Sequence, residues 1–335
     1  MSLHLCKEVA VLGNGGFGTA LACYARSLGH GVRLWGHDPD YTLRIRETRD
    51  NPRYLPGIRI PETIEISSNE SPVLRGAELV LSVVPTQHLR ATLGPLAPGI
   101  PEGVPIVSCS KGMEQESGVL PSRIIQDVVP RCPIFVLSGP CHAEELVRGK
   151  PASLVLAGPA GTLLEELQAE LSGETCRLYR NGDRLGVEIA GALKNIIGIA
   201  AGICDGLELG DNAKAALLTR GLVEITRFGV ASGAQSDTFS GLAGIGDLIT
   251  TSVSPHGRNR SFGVRLGKGE TLTDILATTR KVAEGVWTCR AVLDKAAELG
   301  VDMPISEEVS QVLFDEKPAG IAVKDLMTRL LGEES

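Results

Sequence analysis

Aromatic side chains are scarce. Phe, Trp and Tyr together make up 4% of the 335 residues, too few for a β-sandwich core built on large rings. The 40 glycines instead favour tight turns and close contacts between small-residue helices. Positive charge is not in excess. Lys and Arg number 33 against 40 Asp and Glu, a net charge of −7. That speaks against a nucleic-acid binder working through bulk charge, though not against a small basic pocket. No two of the eight cysteines form C-x-x-C, and none has metal-ligand spacing with a histidine. The reading is free thiols in a reducing cytoplasm, with no metal site. The longest apolar stretch, Ile189 to Cys204, is interrupted by Lys194 and Asn195 and is short for a membrane span. No signal or transit segment precedes the first strand pattern. Neither a repeat of fixed period nor a low-complexity tract is visible.

What is present is an alternation. Short β-branched runs at Val9–Leu12, Val32–Trp35, Leu79–Val84, Ile106–Ser108, Ile134–Leu137 and Ser153–Ala157, with a shorter one near Arg177–Tyr179, are separated by helical patterns. This predicts an α/β Rossmann-type, doubly wound, mostly parallel sheet. After the turn signal Asn181-Gly182-Asp183 the strand-like runs cease and helical patterns continue to the end. The expected division is a dinucleotide-binding domain over residues 1–182 and an all-helical substrate domain over residues 183–335.

The first strand leads into Gly13-x-Gly15-x-x-Gly18 and a helix rich in Ala and Leu. Gly13 permits the tight turn, Gly15 lets a pyrophosphate approach the backbone, and Gly18 allows close helix–strand packing. The helix N-terminus offers N–H groups to phosphates. The second strand ends at Gly36-His37-Asp38, where a carboxylate commonly accepts from the ribose of NAD. Gly36 removes a group that would repel a 2′-phosphate, and His37 can donate to one. Asp38 pulls the other way if it faces the ligand. NAD or NADP is therefore expected, with NADPH favoured.

In an open α/β sheet, ligands lie beyond the carboxyl ends of the strands. Lys111 follows one such end, and Ser138-Gly139-Pro140 follows another, just before Cys141-His142-Ala143. In the helical half, Lys194 sits inside an almost wholly apolar helix, with Glu188 six positions away and on a different face. A buried ammonium without a partner is costly, and burial depresses its pKa toward that of a useful acid/base. Asp247, in an apolar glycine-rich turn, is a candidate partner, and Asn195 can orient a substrate or water. Arg258-Asn259 can make forked and amide hydrogen bonds to a phosphate.

With these residues assembled, the chain resembles the NAD(P)-dependent glycerol-3-phosphate dehydrogenases of the bacterial type. The resemblance covers nearly the whole chain and rests on "GNGGFGTALA", "SKGME", "LSGPCHAEE", "GALKNIIGIAAGICDGLELGDNAKAALLTRGL", "FSGLAGIGDLITT", "HGRNRSFG" and "VAEGVWT". It implies interconversion of dihydroxyacetone phosphate and sn-glycerol 3-phosphate for phospholipid synthesis, by a Rossmann domain plus an all-α domain in a cytoplasmic homodimer. No nucleic acid or membrane span is implied. Lys194 then matches the family's general acid/base, with Lys111 and Asp247 beside it in catalysis. Lys111, Gly139, Lys194, Asp247, Arg258 and Asn259 match substrate contacts. Gly16, Phe17, His37, Asp38, Tyr54, Lys111, Ala143, Arg258, Val282 and Glu284 match cofactor contacts. Cys141 stands where the family commonly has Ser or Thr, and Gly257 where Ser is usual; each removes a hydroxyl from a substrate-contacting position. Two rival readings share the architecture: a β-hydroxyacid or 6-phosphogluconate-type dehydrogenase, and a non-catalytic dinucleotide sensor. Retention of Lys194 and Asp247 speaks against the sensor.

Overall fold

A computed structural model describes residues 7–279 and 283–330. The chain divides into two units. The first comprises residues 1–111 and 119–188, the second residues 112–118 and 189–335.

In the first unit, ten strands follow in chain order: β1 (Glu8–Leu12), β2 (Gly31–Trp35), β3 (Asp50–Asn51), β4 (Leu55–Arg59), β5 (Glu65–Ser67), β6 (Leu79–Ser82), β7 (Ile106–Ser108), β8 (Ile134–Ser138), β9 (Ala152–Ala157) and β10 (Cys176–Asn181). Eight of them form one sheet in the order β10-β9-β8-β7-β6-β1-β2-β5. Every pairing in it is parallel except β8 with β9. The order reverses between β1 and β6, which makes that junction the switch point where ligands bind in such sheets.

Alternation along the strands explains the two covered faces. Val9 and Val11 of β1 join a core with Leu34, Leu79, Leu81 and Phe135. Ala10 and Leu12 point the other way, into a second core with Val80, Leu89, Leu93 and Ile106. Helices cover both, as the near-continuous apolar strands require. The sequence pattern did not disclose β5 or the hairpin β3–β4, because these strands are short and partly exposed. The run expected to reach Val84 stops as a strand at Ser82; Pro85, which follows, has no N–H to continue the ladder.

Among the described residues no strand follows β10. Helix Arg184–Gly206 begins in the first unit and runs into the second. It is long and apolar enough to cross a membrane by composition, yet its apolar window is wholly buried in the protein. Its packing depends on glycine. A Cβ at Gly202 would stand 2.0 Å from the carbonyl oxygen of Arg260, and one at Gly263 would stand 2.0 Å from that of Ile199. Helix Arg258–Gly267 can therefore lie backbone to backbone along it. A buried carboxylate fixes another junction. Glu224 accepts from the backbone N–H groups of Ile305 (2.8 Å) and Ser306 (3.0 Å) and from Ser306 Oγ (2.6 Å), capping helix Pro304–Phe314.

Candidate active site

The glycine-rich turn of the first unit fits a dinucleotide. Gly13 has φ +115°, a region that side chains disfavour. A Cβ on it would meet Val83 O at 2.9 Å, which brings the turn after β1 against the loop after β6. A Cβ at Gly18 would lie 1.8 Å from Gly13 O, so only glycine permits this closure of helix on turn. Gly15 faces open space where a Cβ would stand. It begins helix Gly16–Ser27 with no side-chain cap, leaving the helix N-terminus to a ligand. Phe17, half-buried, is the second residue of that helix.

A network of amides and hydroxyls holds this turn, and sequence reasoning missed it. Asn14 Nδ2 donates to Thr42 Oγ1 (3.0 Å). Asn51 Nδ2 donates to Asn14 O (2.9 Å) and Thr19 Oγ1 (2.8 Å), and Tyr41 OH donates to Asn51 Oδ1 (2.6 Å). The network gives Gly36 a different reason from the one expected. A Cβ there would stand 2.0 Å from Asn14 Nδ2 and 2.4 Å from Thr42 Oγ1. Any side chain at this position would have to displace Asn14 and Thr42 from their hydrogen bond, whatever the cofactor. Asp38 accepts from Tyr41 N (3.0 Å) as the N-cap of helix Pro39–Thr48. His37 is exposed beside it.

Tyr54 lies half-buried at the tip of the β3–β4 hairpin, and its carbonyl oxygen would meet a Cβ on Gly16 at 2.7 Å. At the ends of β7 and β8, Lys111 Nζ donates to Gly139 O (3.0 Å), and Gly139 has φ +121°. Cys141 is half-buried in the following loop, and Ala143 opens the short helix Ala143–Leu146.

In the second unit the buried lysine has found its partner. Lys194 Nζ lies 2.7 Å from Asp247 Oδ1 and also donates to Thr251 Oγ1; Lys194, Asp247 and Thr251 are all buried. The partner is the one the sequence offered: the anion comes not from Glu188 on the same helix but from Asp247 on another. A π-helical turn over Leu242–Gly246, closed by Gly246 N donating to Gly241 O (3.3 Å), leads directly into helix Asp247–Val253. Such turns concentrate at functional sites. Asp247 and Thr251 stand four residues apart on one face of that helix. The spacing is legible in the sequence, but nothing there singles out Thr251 from the hydroxyls around it.

Asn195 and Asn259 are joined as well. Asn259 Nδ2 donates to Asn195 Oδ1 (2.8 Å), and Asn259 Oδ1 accepts from Gly285 N (3.1 Å). Asn259 is buried while Arg258, at the start of the same helix, is exposed, so the two side chains serve different surroundings. At Gly257 a Cβ would lie 2.4 Å from Thr251 O, so a serine would require this loop to shift. Glu284 opens helix Glu284–Leu299. Val282 lies outside the described residues.

The first unit is thus a Rossmann-type dinucleotide domain, and the second is a helical domain with a buried lysine–carboxylate pair. Together they define the architecture of a two-domain nicotinamide-dependent dehydrogenase. Comparison with known proteins narrows the class. Residues 8–163 match the NAD-dependent glycerol-3-phosphate dehydrogenase N-terminus and residues 183–324 the corresponding C-terminus. The chain belongs to the NAD-dependent glycerol-3-phosphate dehydrogenase family.

A glycerol-3-phosphate dehydrogenase [NAD(P)+] of Rhodospirillum rubrum is 45% identical over 331 residues, covering 99% of this chain and 95% of the relative. One from a Geobacter species is 43% identical over 333 residues, covering 98% and 99%. The crystal structure of glycerol-3-phosphate dehydrogenase from Coxiella burnetii superposes with a TM-score of 0.93 at 34% identity, covering 97% of this chain and 99% of that one. A ketopantoate reductase from Ralstonia eutropha, at 15% identity and a TM-score of 0.61, shares the fold alone.

Proposed function

We propose that this protein is an NAD(P)-dependent sn-glycerol-3-phosphate dehydrogenase that reduces dihydroxyacetone phosphate reversibly. The observation that carries the reading is the buried Lys194–Asp247–Thr251 cluster, set in a chain whose other unit has a glycine turn shaped for a dinucleotide. Full-length similarity to enzymes of that name supports it.

A nicotinamide cofactor held by the glycine turn would supply the hydride for C2 of the ketone. Charge then builds on the ketone oxygen. Lys194 delivers a proton from Nζ to that oxygen and regains one from solvent. Asp247 keeps the ammonium charged and aimed, and Thr251 fixes its direction by accepting a second hydrogen bond. Arg258, exposed at a helix start, is assigned to the substrate phosphate, where a planar guanidinium bonds well. Asn259 positions Asn195 and the start of helix Glu284–Leu299. Lys111 is assigned a second cationic role toward the substrate, held by Gly139 O. Gly13, Gly15, Gly16, Phe17 and Gly18 are assigned to the pyrophosphate. His37, Asp38, Tyr54, Ala143, Val282 and Glu284 are assigned further cofactor contacts.

We further propose a cytoplasmic homodimer feeding phospholipid synthesis. The described cysteines are all free thiols, which suits a reducing compartment. Exposed Val230, Ile249, Val253 and Ile321 on the helical unit offer apolar surface for a second copy.

The test is to incubate the protein with dihydroxyacetone phosphate and either NADPH or NADH. The expected result is one sn-glycerol 3-phosphate formed for each reduced cofactor consumed. Cofactor binding without consumption would favour the sensor. Activity confined to 3-hydroxy acids or 6-phosphogluconate would favour the rival dehydrogenases.

A further inference from the structure

We propose that Arg53 reads the 2′-phosphate of NADP, so that cofactor choice is set at the β3–β4 hairpin as well as at the end of β2. The inference rests on the dinucleotide reading of the first unit and extends it to a residue outside every motif described above.

Position comes first. The hairpin tip touches the phosphate turn through Tyr54 O, 2.7 Å from where a Cβ on Gly16 would stand. It reaches the end of β2 through Arg53 Nη1, 3.8 Å from Asp38 Oδ2. Arg53 therefore lies between the pyrophosphate turn and the strand end where the adenosine ribose binds in this fold.

Its setting is built. Arg53 N donates to Tyr41 OH (3.0 Å), fixing the backbone. The guanidinium lies 4.1 Å from the Tyr41 ring centroid and 5.8 Å from that of Tyr54. Stacking on an aromatic face orients the planar fork while leaving its edge N–H groups to a ligand.

Charge points the same way. Asp38 is the carboxylate nearest this strand end and is expected to repel a 2′-phosphate. One of its oxygens accepts from Tyr41 N as the helix cap. The other faces Arg53 in a pair whose side chains are 37% and 38% exposed. A pair this open and this long is weak, so a phosphate can compete for the guanidinium, with His37 beside it. Position 36 offers no carboxylate, and one placed there would have to displace Asn14 and Thr42.

The test measures dissociation constants for NADPH and NADH by nicotinamide fluorescence without substrate, in wild type, Arg53→Gln and Arg53→Lys. Arg53→Gln should weaken NADPH by ~10- to 50-fold and NADH by less than ~3-fold, as expected when one charge-assisted hydrogen bond is removed. Arg53→Lys should fall between, because it keeps the charge and loses the fork. Equal weakening of both cofactors, or none, would overturn the inference while leaving the dinucleotide reading intact. A wild-type protein that binds neither cofactor would overturn both.

Discussion

At Lys194 desolvation competes with pairing. The side chain is almost fully buried, and its carboxylate partner is buried still more deeply. Removing one member of such a pair strands the other charge, which costs about 3–5 kcal/mol, whereas replacing both with apolar groups is often neutral. This separates structural from catalytic roles. Lys194→Ala should lower kcat by at least ~10² and also lower the melting temperature. The double variant Lys194→Met/Asp247→Leu should regain most of the stability but none of the turnover. Thermal melts alongside steady-state kinetics check both, and recovery of turnover in the double variant would take Lys194 out of proton transfer. The sequence disclosed the anomaly, a lysine in an apolar helix, and even its partner. It did not disclose Asn14, Asn51 and Tyr41, because a polar residue reads the same in sequence whether it is solvated or knits three segments together.

Helix Arg184–Gly206 carries two separate burdens. Toward its start, Glu188 is buried and accepts from Ser122 N (2.8 Å) and Ser122 Oγ. Burial pushes its carboxyl up to about 7, against the pull of the Ser122 hydrogen bonds. The folded state therefore holds this proton where the unfolded chain releases it. The stability it contributes is complete below the ordinary carboxylate range and is lost as pH rises through about 7, amounting to about 3 kcal/mol. Glu188→Gln should flatten the fall in melting temperature between about pH 5 and about pH 8. An identical fall in the variant would show that another group is responsible.

Further along, the helix depends on backbone contact. Gly202→Ala forces a Cβ to within 2.0 Å of Arg260 O. It should cost at least ~2 kcal/mol and lower kcat by displacing Asn259 from Asn195. Gly182→Ala, which meets nothing within 4 Å, should change stability by less than ~0.5 kcal/mol. Denaturant titrations distinguish the two. The abundance of glycine announced such packing, but the partners, Gly202 against Gly263, are 61 residues apart and were not legible from either helix alone.

The whole molecule combines a Rossmann-type sheet, with a glycine turn shaped for a nucleotide, and a helical unit that holds a buried lysine–carboxylate pair and an exposed arginine at a helix start. The mostly parallel sheet and the helical second half were readable because apolar strands buried on both faces differ in period from long helices. Short polar strands such as β3, β4 and β5 carry no such signal, and with them went the hairpin that brings Arg53 and Tyr54 to the glycine turn. On the proposed reading, this molecule reduces a small ketone held by its phosphate. The most direct measurement compares kcat/KM for NADPH oxidation with dihydroxyacetone phosphate and with dihydroxyacetone lacking the phosphate. Two charge-assisted hydrogen bonds to the phosphate together contribute ~4 kcal/mol or more, so the phosphorylated ketone should be preferred by at least ~10³-fold. Equal rates for the two ketones, or no oxidation of bound NADPH by the phosphorylated one, would contradict it.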